Sequence, residues 1–241
     1  MRLSLIELRE SLSEIKESQQ AVAAALEGVG LREKSLEGML EDIQKDLKER
    51  GIEVIVTENG TVLRIPEKAL SFQSTRYEIQ EQYRPAADLI GAALLKALRA
   101  EHNRRILDTV FIEGHTDAVP YETGMGNWGL STYRAISLWL YWTKEPGTYS
   151  ELKGLKSLAD AGANEGRPLI STSGYAETRP TGVAPPQAAE GKTPGNPADR
   201  RIDIRFTLAS QEKKDLTGLQ EKLRKMQSKT DELIEKLEEL K

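Results

Sequence analysis

The sequence predicts an α/β sandwich, one mixed β-sheet covered by helices on one face, with a heptad helix at each end. Three patterns predict it. β-branched runs flank Asn59-Gly60. Apolar helical stripes separate the later strand-like runs. Leucine-rich seams with three- and four-residue steps occupy residues 1–50 and 209–241.

In the first region, Leu5, Leu8, Leu12, Ile15, Gln19, Val22 and Leu26 form a heptad seam with one polar insert, as coiled coils use. Gly28 and Gly30 interrupt it, and a second run through Leu36, Leu40, Ile43 and Leu47 ends at Gly51, a good helix stop. A narrow seam between charged faces points to helix pairing; the plainer reading is a helix lying on its own domain.

Residues 51–208 form the predicted globular domain. Residues 52–65 are a hairpin, because Asn59 and Gly60 both tolerate positive φ, and Pro66 closes its second strand. The spacing predicts a helix over about 78–100, with Ile79, Tyr83, Ile90, Leu94 and Leu98 as its buried stripe. Residues 108–113 are a short strand and 114–129 a polar, Gly-rich loop. Residues 130–143 are a helix opened by Ser131 and carrying Ile136, Leu138, Trp139 and Leu140.

Residues 146–166 are an insertion with a short helix at 150–161, and 168–173 are a strand. Residues 174–198, including the Pro- and Gly-rich stretch 180–198, read as a mobile loop. Ile202, Ile204, Phe206 and Leu208 alternate inward along a strand over 200–208. The last region steps through Leu216, Leu219, Leu223, Met226, Thr230, Leu233, Leu237 and Leu240.

Composition narrows the function. The net charge of -4 gives no basic field for nucleic acid or anionic lipid. With no cysteine, disulfides and thiolate metal sites are excluded. No apolar run approaches the ~20 residues of a membrane span, and the first residues have no signal-peptide pattern. The chain is therefore either cytosolic or a soluble piece of a longer one.

An acid and a base stand out. Asp117 falls just past a strand end. Arg134 falls one turn into the expected next helix, pointing back towards that loop. Held apart on rigid elements, the two suit a zwitterion: the carboxylate takes an ammonium and the guanidinium takes a carboxylate. The duller reading is a salt bridge between them. Asn127 can serve as a helix cap. His115 and His102 flank a strand and are too few for a metal site, so His115 is expected to fix its loop by hydrogen bonds. Glu113 and Asp117 resemble a glycosidase acid pair only in residue type, since nothing supplies a second catalytic shell.

Four segments occur in a telling order: Gly114-His115-Thr116-Asp117, then Asn127-Trp128-Gly129-Leu130-Ser131-Thr132-Tyr133-Arg134-Ala135, then Gly174-Tyr175-Ala176-Glu177 with Pro180, then Arg200-Arg201 opening a strand. Together they resemble the OmpA-like peptidoglycan-binding family over about 100 residues. Asn127-Trp128 and Pro120-Tyr121 look most like its MotB-like stator branch, flagellar or of the Zorya anti-phage type. The resemblance implies a non-enzymatic cell-wall anchor that uses no cofactor. The residue matching Asp117 takes the amine of the stem-peptide diaminopimelate, and the residue matching Arg134 takes its carboxylate. Thr116, Asn127 and Leu130 line the pocket and Arg200 stands at its edge, with positive potential from the helix start near Ser131.

A periplasmic homodimer is implied, tethered to the inner membrane by a segment outside this chain and partnered by a membrane-embedded ion-channel subunit. Asp199 departs from the family's asparagine, and an acid beside Arg200 is expected to weaken its pull on a ligand carboxylate. The insertion and the long loop are expected to shield the pocket. The competing reading is a coiled-coil scaffold whose OmpA-like domain binds no wall ligand.

Overall fold

The computed structural model describes residues 5–72, 75–144, 149–159, 166–187, 191, 193–209, 221, 223–228, 230 and 231. Helix α1 runs Leu5–Glu49, passing Gly28 and Gly30 without the expected break, and stops at Gly51 with φ +80°. Two compact units emerge, one of residues 33–209 and one of 1–32 with 210–241. In the first, the α1 residues Leu36, Met39, Leu40, Ile43 and Leu47 are buried in the core, so this stretch packs on its own domain. In the second, most of the C-terminal seam lies outside the described residues, as do the side chains of Leu5, Leu8, Leu12 and Leu26. The backbone is helical at 221, 223–228, 230 and 231.

Strands β1 (Ile55–Thr57) and β2 (Val62–Pro66) form the expected hairpin, with Glu58, Asn59 and Gly60 all at positive φ. Helix α2 (Arg84–Arg99) buries Ile90, Leu94 and Leu98. It starts later than expected, because Pro85 suits the first turn, and a 3-10 turn at Glu81–Tyr83 precedes it. Ile79 is buried from an isolated bridge to Phe72, not from a helix. After Ala100 the chain makes a further short helix, α3 (Glu101–Ile106), before β3 (Leu107–His115).

Helix α4 (Gly126–Thr143) begins a turn before the expected start. Buried Trp142 anchors it, its Nε1–H donating to the Ala87 carbonyl at 2.8 Å. In the insertion, residues 150–154 form a 3-10 turn in place of a longer helix, while 145–148 and 160–165 lie outside the described residues. Strands β4 (Ile170–Gly174) and β5 (Arg201–Leu208) complete a mixed sheet of order β1-β2-β5-β3-β4, in which only β3 and β4 are parallel.

Alternation sorts the sheet into two faces. Val110, Ile112, Ile202, Ile204 and Phe206 join the helices in one core. The opposite face carries a layer of ion pairs. Asp203, fully buried, accepts bonds of 3.0 Å from both Nε and Nη2 of Arg64 and one of 2.9 Å from Arg201 Nε. Arg205 donates to Glu113 at 2.9 Å and to Glu58 at 2.5 Å. Burial pushes the Asp203 carboxyl up, but the bond from Arg64 and the charges of Arg201 and Arg64 outweigh it and hold the group below 3.8.

Asp203→Ala leaves Arg64 and Arg201 without their shared carboxylate. The expected cost is about 3–5 kcal/mol in chemical denaturation. A loss under ~1 kcal/mol would show that the layer contributes little.

Candidate functional site

The site lies where β3, α4 and the segment before β5 converge. Two glycines let α4 settle onto the sheet. Gly114 and Gly174 are register partners on β3 and β4. A Cβ on Gly114 would lie 2.0 Å from the Ser131 carbonyl oxygen, and one on Gly174 would lie 2.5 Å from the Thr132 nitrogen. Ser131 is therefore buried in the second turn of α4 and does not open it. Its hydroxyl donates to the Trp128 carbonyl and accepts the Ala176 N–H at 3.0 Å, tying α4 to the loop after β4.

Consequently Arg134 stands two turns into α4, too deep for the helix N-terminus to add the expected potential. Asn127 caps nothing. Its amide donates to the Val119 carbonyl at 3.1 Å and, more weakly, to that of Asp117 at 3.4 Å, pinning the loop to the helix. Leu130 is buried behind it.

Asp117 and Arg134 are not bonded to each other. Asp117 Oδ2 accepts 2.6 Å and 3.1 Å bonds from Arg200 Nη1 and the Asn196 N–H. Arg134 is 8% exposed. Its Nε–H donates to the Arg76 carbonyl at 3.1 Å, and its guanidinium sits 5.4 Å from the centre of the Phe72 ring. Among the described residues its two Nη atoms have no hydrogen-bond partner. Burial lowers its affinity for a proton; the charge of Glu67 opposes this, that of Arg200 adds to it and that of Asp117 opposes it. The cleft that Arg134 shares with Glu67, Phe72, His115 and Arg200 is nearly closed, with about 10 Å³ of room, on the order of one water molecule.

Three sequence readings change here. Arg200 is paired, with Nε and Nη2 on the two oxygens of Glu67 at 2.8 and 2.7 Å. Glu67, which sequence reasoning missed, is thus the acid beside Arg200. Asp199 turns away to accept bonds from Thr181 and Asn196. The segment before β5 is packed, with Asn196 and Asp199 both buried.

Thr116 donates its N–H to the Ala176 carbonyl, while its buried hydroxyl has no hydrogen-bond partner among the described residues. Among the described residues neither ring nitrogen of His115 makes a hydrogen bond, although Nε2 lies 3.5 Å from Asp203 Oδ2 and 3.9 Å from Glu113 Oε2; the ring stacks on Tyr175 with centroids 5.5 Å apart. Burial, reinforced by the Arg201 charge, lowers its pKa from 6.5 to about 3. Glu113 is committed to Arg205, its Oε1 accepting the Nε–H at 2.9 Å.

The lowered His115 value has a pH consequence. Between pH 6.5 and about 3 the unfolded chain protonates this histidine and the folded chain does not, so stability falls as pH falls. His115→Gln should flatten that part of the stability curve measured by denaturant titration. An unchanged slope would show that His115 titrates alike in both states.

The class is thus a one-sheet α/β sandwich in which a helix guanidinium, Arg134, and Arg200 line one small cleft and a loop acid, Asp117, is bonded to Arg200. No family model and no curated protein matches the chain. Among solved structures it is similar to a MotB-like protein from Desulfovibrio vulgaris at 16% identity, covering 81% of this chain and 98% of the other with a TM-score of 0.47. It is also similar to the periplasmic domain of Helicobacter pylori MotB, at 18% identity over 66% of this chain and 82% of that one with a TM-score of 0.41. A third similar structure is the cell wall anchor of the T6SS from Pseudomonas aeruginosa, at 21% identity over 72% of this chain and 97% of that one, TM-score 0.39.

Proposed function

We propose that this domain is a non-enzymatic peptidoglycan anchor that grips the zwitterionic end of diaminopimelate in the stem peptide. The observation that carries the reading is Arg134: a guanidinium 8% exposed, at a cleft, with both Nη atoms unbonded among the described residues. A buried guanidinium with no carboxylate bonded to it is costly, and a ligand carboxylate supplies that partner in bidentate form. Asp117, bonded through Arg200 to the same cleft, supplies the anion for the ammonium. Thr116, Asn127 and Leu130 shape the loop and helix that hold the pair. Arg200 guards it.

In this reading the chain is the periplasmic part of a MotB-like stator subunit, tethered at the inner membrane, dimeric through its heptad helices and partnered by an ion-channel subunit. Its complex is a flagellar motor or an anti-phage defence assembly. Among the described residues no helix is long and apolar enough to cross a membrane. One observation favours the scaffold reading, in which no wall ligand binds: the cleft has only about 10 Å³ of room.

Co-sedimentation of the full chain with purified sacculi separates the two. The anchor reading expects retention that free meso-diaminopimelate competes away. Failure of the protein to sediment would leave the scaffold.

A further inference from the structure

The charges at the cleft are paired unequally. Arg200 holds two carboxylates, Glu67 through two parallel bonds and Asp117 through a third at 2.6 Å. Arg134 holds none. Asp117 therefore already has a cation, and the chain itself supplies it. The segment before β5 seals this arrangement. The Asn196 N–H bonds the same Asp117 oxygen, and a Cβ on Gly195 would lie 3.2 Å from that oxygen and 3.5 Å from Arg200 Nη1.

We propose that Arg200 is a built-in competitor for Asp117, parked on Glu67, and that it makes the site selective for ligands that bring an ammonium and a carboxylate together. The proposal rests on the anchor reading and assigns Arg200 the opposite role to a ligand contact. With a zwitterion bound, three pairs form: ligand carboxylate on Arg134, ligand ammonium on Asp117 and Arg200 on Glu67. Each of the six charges then has one partner. A ligand with only an amine must displace Arg200 from Asp117 and still leaves Arg134 unpaired, so displacement is not offset. Glu67 makes displacement feasible, because its two bonds retain Arg200 after Asp117 releases it. Arg200, 31% exposed along its side chain, has solvent on one side into which to move.

The test uses the full chain and two synthetic stem peptides differing in one group. One carries meso-diaminopimelate; the other carries lysine, which keeps the side-chain amine and lacks the second carboxylate. Calorimetric titration of the wild type should detect the first peptide and not the second. Arg200→Gln should bind the diaminopimelate peptide about tenfold tighter, the scale of one charge-assisted bond, and should now bind the lysine peptide measurably. Glu67→Gln should weaken binding, since Arg200 then has only Asp117. Weaker binding of the diaminopimelate peptide by Arg200→Gln, with the lysine peptide still undetected, would make Arg200 a ligand contact and overturn the proposal.

Melting temperatures give a ligand-free readout. The melting temperatures of Arg200→Gln, Asp117→Asn and the double variant should be non-additive. Additive values would remove the competitor contact itself. Non-additive values with no peptide bound by any variant would instead defeat the anchor reading, and the selectivity with it.

Discussion

Arg134→Met should abolish retention of the full chain on sacculi while leaving its melting temperature unchanged or raised. The two effects separate because no carboxylate among the described residues is bonded to Arg134. Methionine keeps a flexible apolar stem against Phe72, where sulfur–ring contact replaces the guanidinium's 5.4 Å approach. One bond to the Arg76 carbonyl is lost, and the burial of an unpaired charge is relieved. In the bound state the same change removes the partner of a buried ligand carboxylate, about 2 kcal/mol or more and so roughly thirtyfold or more in affinity. Sacculus co-sedimentation and a thermal melt of the same preparation check both halves. A variant that melts far lower would mean that Arg134 holds the fold; one that still sediments would mean that it holds no ligand.

Gly114→Ala should act in the other direction, on the fold first and the site as a consequence. The added Cβ would stand 2.0 Å from the Ser131 carbonyl oxygen, a backbone atom in the second turn of α4. It cannot rotate away, so α4 must lift from β3. Helix and sheet are close-packed here, with Ser131 fully buried, and overpacking such a contact costs about 3 kcal/mol. For a chain of this size that is a fall of roughly 6–12 °C in melting temperature. Lifting α4 also moves Arg134 relative to Asp117, so wall retention should fall with it. A melting temperature within about 2 °C of the wild type would show that the approach of α4 is not tight.

The sheet was legible because its signals are local. Asn59-Gly60 specifies a turn whatever surrounds it, and Ile202, Ile204 and Phe206 alternate against a core that any sheet must have. The start of α4 was not, because nothing in the local pattern distinguishes Gly126 from a loop residue. The expected opening at Ser131 came from its residue type, a common capping serine. The structure instead buries that hydroxyl against Ala176, 45 residues further on. In sequence Gly114 is part of the Gly-His-Thr-Asp turn, and its packing reason appears only once α4 is in place.

Residue type, spacing and resemblance mark Asp117 and Arg134; Asp117 is bonded to Arg200, which lines a cleft with Arg134. Their partners were out of reach. Glu67 lies 133 positions from Arg200, and only the β2–β5 pairing, which sets Pro66 opposite Arg201, brings them together. The same pairing explains why Arg64 meets Asp203. Asp199 was given the wrong neighbour because adjacency in sequence says little about where alternate side chains point at a strand end.

The most direct test of the central claim is a crystal structure of the full chain soaked with free meso-diaminopimelate. The account predicts one carboxylate of the ligand on both Nη atoms of Arg134, its ammonium on Asp117, and Arg200 withdrawn to Glu67 alone. Arg200 still on Asp117 with the ligand absent or bound elsewhere would contradict it.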